Sequence, residues 1–167
     1  LEPQKNHSMT IRAFAHVHKK HPDYKLEIFG QGSLQSELES LVQELDLGDS
    51  IKFMGFSSDA LTHIRTASAF VMSSRFEGLS NSMLEALCMG VPTICTKCGG
   101  GGAEAVIQND INGILVDIDD DIAEASAFNT IVENQSYSDY LSNNALTLRQ
   151  SLALETIGNE WADLLFN

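Results

Sequence analysis

Basic residues are scarce in this chain. Ten Lys and Arg stand against 23 Asp and Glu, a formal net charge of −13 over 167 residues. Neutralising a nucleic-acid backbone takes clustered Lys and Arg, so the balance argues against a nucleic-acid partner. One small anionic ligand stays compatible with it, because such a ligand needs only a local positive spot. Long apolar runs are missing too. No stretch is long enough to span a bilayer and no signal-peptide pattern is visible, which makes a cytoplasmic domain the expectation. Internal repeats and low-complexity linkers are absent. Cysteine is limited to Cys88, Cys95 and Cys98. The Cys95-Thr-Lys-Cys98 spacing has no second pair to complete a zinc site, so small, reduced, apolar residues at a strand end are expected there. With 43% hydrophobic and 20% charged residues, the composition is that of one soluble globular domain.

Helical and strand signals alternate along the chain. Met9, Ile11, Phe14, Ala15 and Val17 form a helical stripe over residues 8–20, ended by Pro22-Asp23. Residues 25–30, KLEIFG, read as a strand running into Gly30-Gln31-Gly32. Leu34, Leu38, Leu41, Val42 and Leu45 recur at helical spacing, with Gly48 as the stop. Strands are expected at 51–55, 68–73, 91–95 and 113–116, with short helices at 59–65 and 103–107 between them. Past Asp119 everything reads as helix, closing with 156–166. Strands separated by helices imply right-handed crossovers, hence an α/β, doubly wound, Rossmann-like parallel sheet with helices on both faces. Ligands of such sheets sit in the crevice beyond the carboxyl ends of the strands, where the glycine-rich stretches of this chain fall. The opening residues, LEPQKNHS, look like a loop entering a helix with no strand before it, and a missing first strand is expected.

The segment SSRFEGLSNSMLEALCMGVP, residues 73–92, carries the chemistry. Read as structure alone, Ser82-Met83-Leu84-Glu85 is a capping box, Gly90 a left-handed helix end and Pro92 a stop. That reading leaves Glu77-Gly78-Leu79-Ser80-Asn81 without a purpose. A ligand reading accounts for both parts. Gly78 lets backbone approach a ligand closely, and the free amides near Ser80–Met83 suit a phosphate or diphosphate. Glu77 and Glu85 are then placed to accept hydrogen bonds from the hydroxyls of two different sugar rings.

With those residues in place, the segment is similar to the E-x(7)-E motif of family 4 glycosyltransferases, retaining enzymes of the GT-B architecture. QKN (4–6), LEIFGQG (26–32), IKFMGF (51–56), EALCMGVPTI (85–94), NGILV (112–116) and the closing SLALETIGNEWADLL resemble that family's carboxy-terminal, donor-binding domain in order and spacing. The resemblance implies that residues 1–167 are a single nucleotide-sugar-binding domain, with the acceptor-binding half of the enzyme missing in cis. It implies a nucleotide diphosphate sugar as donor substrate and transfer with retention, in polysaccharide or glycolipid synthesis, with no metal required. Glu77 would meet the donor sugar, Glu85 the ribose, and Lys5 the diphosphate, making Glu77 and Lys5 the catalytic candidates. Gly78, Leu79 and Ser80 would line the diphosphate, Gly30 and Gly32 the glycine loop, and the backbone of Phe53 and Met54 the base. Any membrane contact would come through the missing half, placing the full-length enzyme in the cytoplasm or peripherally on the membrane's cytoplasmic face. Departures from the family pattern stand out: the Gly-Arg that usually precedes the lysine loop, its arginine sharing the diphosphate, would lie just before Leu1; Ser80 replaces the more usual proline or glycine; and Gly99–Gly102 is a richer glycine run, read as flexible.

Other readings compete. Another GT-B nucleotide-sugar enzyme, such as an epimerase, fits the motif less well. A non-catalytic Rossmann-like ligand-binding domain would bind no nucleotide. Asp117-Ile118-Asp119 has the D-x-D spacing of metal-using transferases, but acidic residues before a helix are expected for the dipole alone. His16, His18 and His21 read as solvated side chains near a helix end. Gly30-Gln31-Gly32 is half a dinucleotide fingerprint and weak for NAD. Trp161 and Phe166 read as packing residues.

Overall fold

The alternation resolves into five short strands and nine helices among the described residues. A computed structural model describes residues 1–166, the Phe166 side chain excepted. A 3-10 turn, Pro3–Lys5, leads into α1, His7–Lys20. Then come β1 Leu26–Phe29, α2 Gln35–Glu44, β2 Ile51–Gly55, α3 Ala60–Thr66 and β3 Phe70–Met72. They are followed by α4 Asn81–Cys88, β4 Thr93–Thr96, α5 Gly102–Val106 and β5 Ile114–Val116. The chain ends in α6 Asp121–Glu133, α7 Gln135–Leu146, α8 Leu148–Ser151 and α9 Leu154–Phe166.

All strand pairs are parallel, as the crossovers require. Successive residues of β4 serve opposite faces. Ile94 joins Met9 of α1, Ile114, Val116 and Ile131 of α6, whereas Cys95 joins Met72, Met83 and Leu87 of α4 and Ala103 of α5. Helices therefore cover both faces, and no residue of β4 is more than marginally exposed. A strand buried on both sides is the mark of a parallel sheet.

The strands form two sheets rather than one: β1 with β2, and β3-β4-β5. The facing edges of β1 and β3 carry no strand partner among the described residues. Leu26 and Val71 border a narrow slot between them, walled by Thr10, Ala13, Phe14 and Val17 of α1 and by Glu124, Ala125 and Phe128 of α6. Glu124 is 2% exposed, and its Oε2 has no hydrogen-bond partner. Burial pushes its carboxyl up to about 7, opposed by a hydrogen bond from Thr10 and assisted by the charge of Asp121.

Several smaller signals fall differently from the sequence reading. Gly48 does not stop α2. Asp46 takes the left-handed turn at φ 56°, and the Leu47 amide reaches back to Val42 O at 3.0 Å. Gly90 fills the equivalent position after α4 at φ 72°, with Val91 N bonded to Ala86 O at 3.0 Å. Of the histidines, His16 is exposed as expected, whereas His18 and His21 are engaged. His18 stacks on Phe14 and meets Ser50 Oγ at 3.2 Å, while His21 meets Glu133 at 2.9 Å. Cys95 and Cys98 are buried free thiols, as expected for small apolar residues. Trp161 is 58% exposed on α9 and packs into no core; the side chain of Phe166 lies outside the described residues. No described helix is long and apolar enough to cross a membrane.

Candidate active site

At the carboxyl ends of the strands, the first six residues reach both halves of the interrupted sheet. On the β1–β2 side, the Glu2 carboxylate accepts from Ser33 N at 3.0 Å and Ser33 Oγ at 2.8 Å. These two bonds hold its pKa below the ordinary value. The Leu1 amino group donates to Gln31 O, and Leu34 N donates to Leu1 O at 3.0 Å. On the β3–β4 side, Arg75 N donates to Gln4 O at 2.8 Å and Gln4 Nε2 to Phe76 O at 2.7 Å. Ser73 Oγ donates to the carbonyls of Lys5 and Asn6, each at 3.1 Å.

That stapling brings Lys5 and Glu77 together across 72 residues of sequence. Their side chains form an ion pair, with Lys5 43% and Glu77 18% exposed. Next to them, burial, assisted by the positive charge of Lys5, pushes the His7 ring below its ordinary value. The catalytic candidates are thus one contact, which sequence spacing could not reveal.

Glu77 owes its place to a loop that sequence reading took as flexible. Glu77 N donates to Gly99 O at 2.9 Å, Gly99 N donates to Arg75 O at 3.2 Å, and Phe76 bridges Gly99 in parallel. A Cβ on Gly100 would overlap the Glu77 carbonyl, and one on Gly102 would overlap the Gly78 carbonyl. The run Gly99–Gly102 is therefore a mould pressed against residues 75–79. Gly100 and Gly102 are required because backbone sits where their side chains would be.

Beyond Glu77 the loop turns into α4. Ser80 is its N-cap in extended backbone, φ −77° and ψ 125°, so serine holds this position without strain. Its side chain caps no amide and instead meets Ser82 Oγ at 3.1 Å. The capping box is corrected accordingly: the helix begins at Asn81, one residue before the expected cap, and Glu85 does not reach back. Its carboxylate makes no hydrogen bond or ion pair among the described residues and lies on the exposed face with Asn81, opposite buried Met83, Ala86 and Leu87. Gly78 and Leu79 are exposed, and a Cβ on Gly78 would meet only open space. The result is a helix start with uncapped amides, flanked by one tethered and one free carboxylate.

The remaining candidates lie on the other half of the sheet. Gly30 has φ 110°, a conformation that favours glycine, and its amide donates to Gly55 O at 2.8 Å. At Gly32 the missing Cβ makes room for the backbone of Leu1. Phe53 pairs with Ile28 and Gly55 with Phe29, so Met54 is the extra residue of a bulge at the end of β2. Bulges of this kind turn an edge strand's backbone outward. Phe56, just past the bulge, is 82% exposed. Asp117 and Asp119 are taken by Lys97 at 3.0 Å and Arg75 at 2.7 Å, which accounts for the D-x-D spacing.

The family model described as "Glycosyl transferases group 1" matches residues 1–147. This chain belongs to that glycosyltransferase family. A curated relative in Campylobacter jejuni, N-acetylgalactosamine-N,N'-diacetylbacillosaminyl-diphospho-undecaprenol 4-alpha-N-acetylgalactosaminyltransferase, is 31% identical over 147 residues. The match covers 88% of this chain and 39% of that protein. The group 1 domain described here therefore spans well under half the length of this relative. Among solved structures, Anabaena Alr3699/HepE in complex with UDP superposes with a TM-score of 0.90 at 24% identity, covering 99% of this chain and 46% of that one. The C-terminal domain of the group 1 protein LpcC from Francisella tularensis superposes at 0.82 with 24% identity, covering 91% and 81%. The architecture of this glycosyltransferase domain is thus the Rossmann-like α/β unit of the GT-B fold.

Proposed function

We propose that this chain is the donor-binding half of a retaining, family 4 glycosyltransferase. It binds a nucleotide diphosphate sugar, and the full-length enzyme transfers the sugar to an acceptor during polysaccharide or glycolipid assembly in the cytoplasm. The observation that carries this reading is the Lys5–Glu77 pair beside the uncapped start of α4. A diphosphate laid against those amides takes positive charge from the helix end and from Lys5, which stabilises the leaving group. Glu77 accepts from hydroxyls of the donor sugar. Glu85, one turn into α4, accepts from the ribose hydroxyls with a carboxylate that has no competing partner. The bulged backbone at Phe53 and Met54 meets the base edge. Solved relatives of the same fold hold UDP, which makes a uridine nucleotide the first donor to try.

The acceptor site belongs to the part of the enzyme outside these residues, consistent with the share of its relatives that this domain spans.

Titration calorimetry with UDP, GDP and ADP tests the reading. One nucleotide should bind, weakly, and Glu85→Ala should weaken it about tenfold, the loss of a charge-assisted hydrogen bond. Failure of all three to bind would overturn donor binding and favour a non-catalytic domain.

A further inference from the structure

Three loops from separate parts of the chain meet in one polar knot beside Lys5. The first is the turn at Asn6, a buried residue in left-handed backbone, φ 52° and ψ 37°. The second is the loop after β3, carrying Arg75. The third is the loop after β5, where Asp119 is also left-handed, φ 64°. Arg75 grips Asp119 with both ends of its guanidinium, Nη1 to Oδ2 at 2.8 Å and Nη2 to Oδ1 at 2.7 Å. Asn6 closes the ring: its Nδ2 donates to Asp119 Oδ1 at 3.1 Å, and its Oδ1 accepts from Arg75 Nη2 at 3.1 Å.

An exposed ion pair alone contributes little, and Arg75 and Asp119 are each about half exposed. This arrangement differs in two respects. The contact is bidentate, which fixes orientation as well as proximity. Its third member is buried, turns the chain in left-handed backbone that asparagine adopts more readily than most residues, and bonds both other members through its side-chain amide. Asn6 adjoins Lys5, and Arg75 lies two residues before Glu77. The knot therefore touches both backbone segments that aim the Lys5–Glu77 pair, without touching the pair itself.

We infer that Asp119 is a positioning residue: through Arg75 and Asn6 it fixes the turn that points Lys5 at the diphosphate of the bound nucleotide. The inference rests on the donor-binding reading above. It gives the β5–α6 loop a part in ligand binding although its carboxylates, Asp117, Asp119 and Asp120, are engaged by Lys97, Arg75 and the Ala123 amide. Arg75, bound to Asp119, is withheld from the diphosphate rather than offered to it.

The test uses this chain with Asp119→Gly, which keeps the left-handed backbone while deleting the carboxylate, and Asp119→Asn, which keeps the shape without the charge. UDP and uridine are titrated into wild type, both variants, Lys5→Ala and the Lys5→Ala/Asp119→Gly double variant. Asp119→Gly should weaken UDP about tenfold and leave uridine unchanged, with Asp119→Asn in between. In the Lys5→Ala background, Asp119→Gly should bring no further loss, because its effect passes through Lys5. Hydrogen exchange of the amides of residues 5–7 supplies a readout without ligand. Asp119→Gly should speed it while residues 26–29 stay as they are. Unchanged exchange there overturns the inference whatever the nucleotides do. Equal losses for UDP and uridine, a further loss without Lys5, or tighter UDP from a released Arg75 would each overturn it too. Wild type that binds no UDP, GDP or ADP overturns the donor-binding reading instead, leaving the exchange result to judge the knot.

Discussion

The two pieces of the interrupted sheet are built differently. In β3-β4-β5, the central strand is buried on both faces, and helices α4 and α5 seal one side with Met83, Leu87 and Ala103 at 0% exposure. In β1-β2, only Ile28 and Ile51 are buried among the strand residues, and Phe53 is packed at the margin of its cluster. The well-sealed piece carries the tight loops, Glu77 and α4. The looser piece carries Gly30 and the Met54 bulge. Under the proposed reading, the densely buried piece would face the diphosphate and sugar, and the less buried piece the base. The first six residues tie the two, so the crevice depends on their docking as much as on either piece.

The comparison can be broken most severely on the sealed side. Leu87→Ala removes a fully buried side chain from α4 and should cost about 3–4 kcal/mol, read from urea denaturation. The half-buried Phe53→Ala on the looser piece should cost roughly 2 kcal/mol. Equal losses would erase the distinction.

Glu124 probes the seam between the pieces. Its carboxyl is raised to about 7 by burial, so the folded protein holds a proton that the unfolded chain releases above its ordinary carboxylate value. The contribution is fully present below about pH 4.5 and is lost as the pH rises to about 7, a change of roughly 3 kcal/mol. Glu124→Gln stays neutral, so the stability difference between variant and wild type should grow in the variant's favour across that window. Denaturation at pH 4, 6 and 8 checks this, and a flat difference would refute it.

Gly102→Ala sets a Cβ against the Gly78 carbonyl and should cost about 2 kcal/mol, with loss of nucleotide binding as residues 77–79 shift. The smallest effect on folding belongs to Glu85→Ala. On an exposed helical face with no partner, the substitution should change stability by less than about 0.5 kcal/mol. It should still cut nucleotide affinity, and that separation of folding from binding sharpens the comparison further.

Element order and type were legible because they rest on local periodicity: the stripe Met9-Ile11-Phe14-Val17 can bury one face only as a helix. The Glu77-to-Glu85 segment reads as a candidate ligand motif because helix starts and glycines have local meanings, and the structure adds that Glu77 pairs with Lys5 while Glu85 is exposed. The capping box misled because Ser80 and Ser82 are both plausible caps, and docking of residues 77–79 on the glycine loop accompanies a start at Asn81. The glycine run looked flexible because glycine's freedom is visible in sequence, whereas the backbone pressed against it is not.

By itself, then, the sequence determined a parallel α/β unit with its glycine loops at one sheet edge, since these follow from hydrophobic period and crossover handedness. Tertiary structure alone decided that Lys5 meets Glu77, that Asp119 closes on Arg75 and Asn6, and that the sheet is split beside Glu124. Those contacts join residues dozens of positions apart, and no local pattern encodes a pairing that arises only when separate loops pack at the same end of the strands.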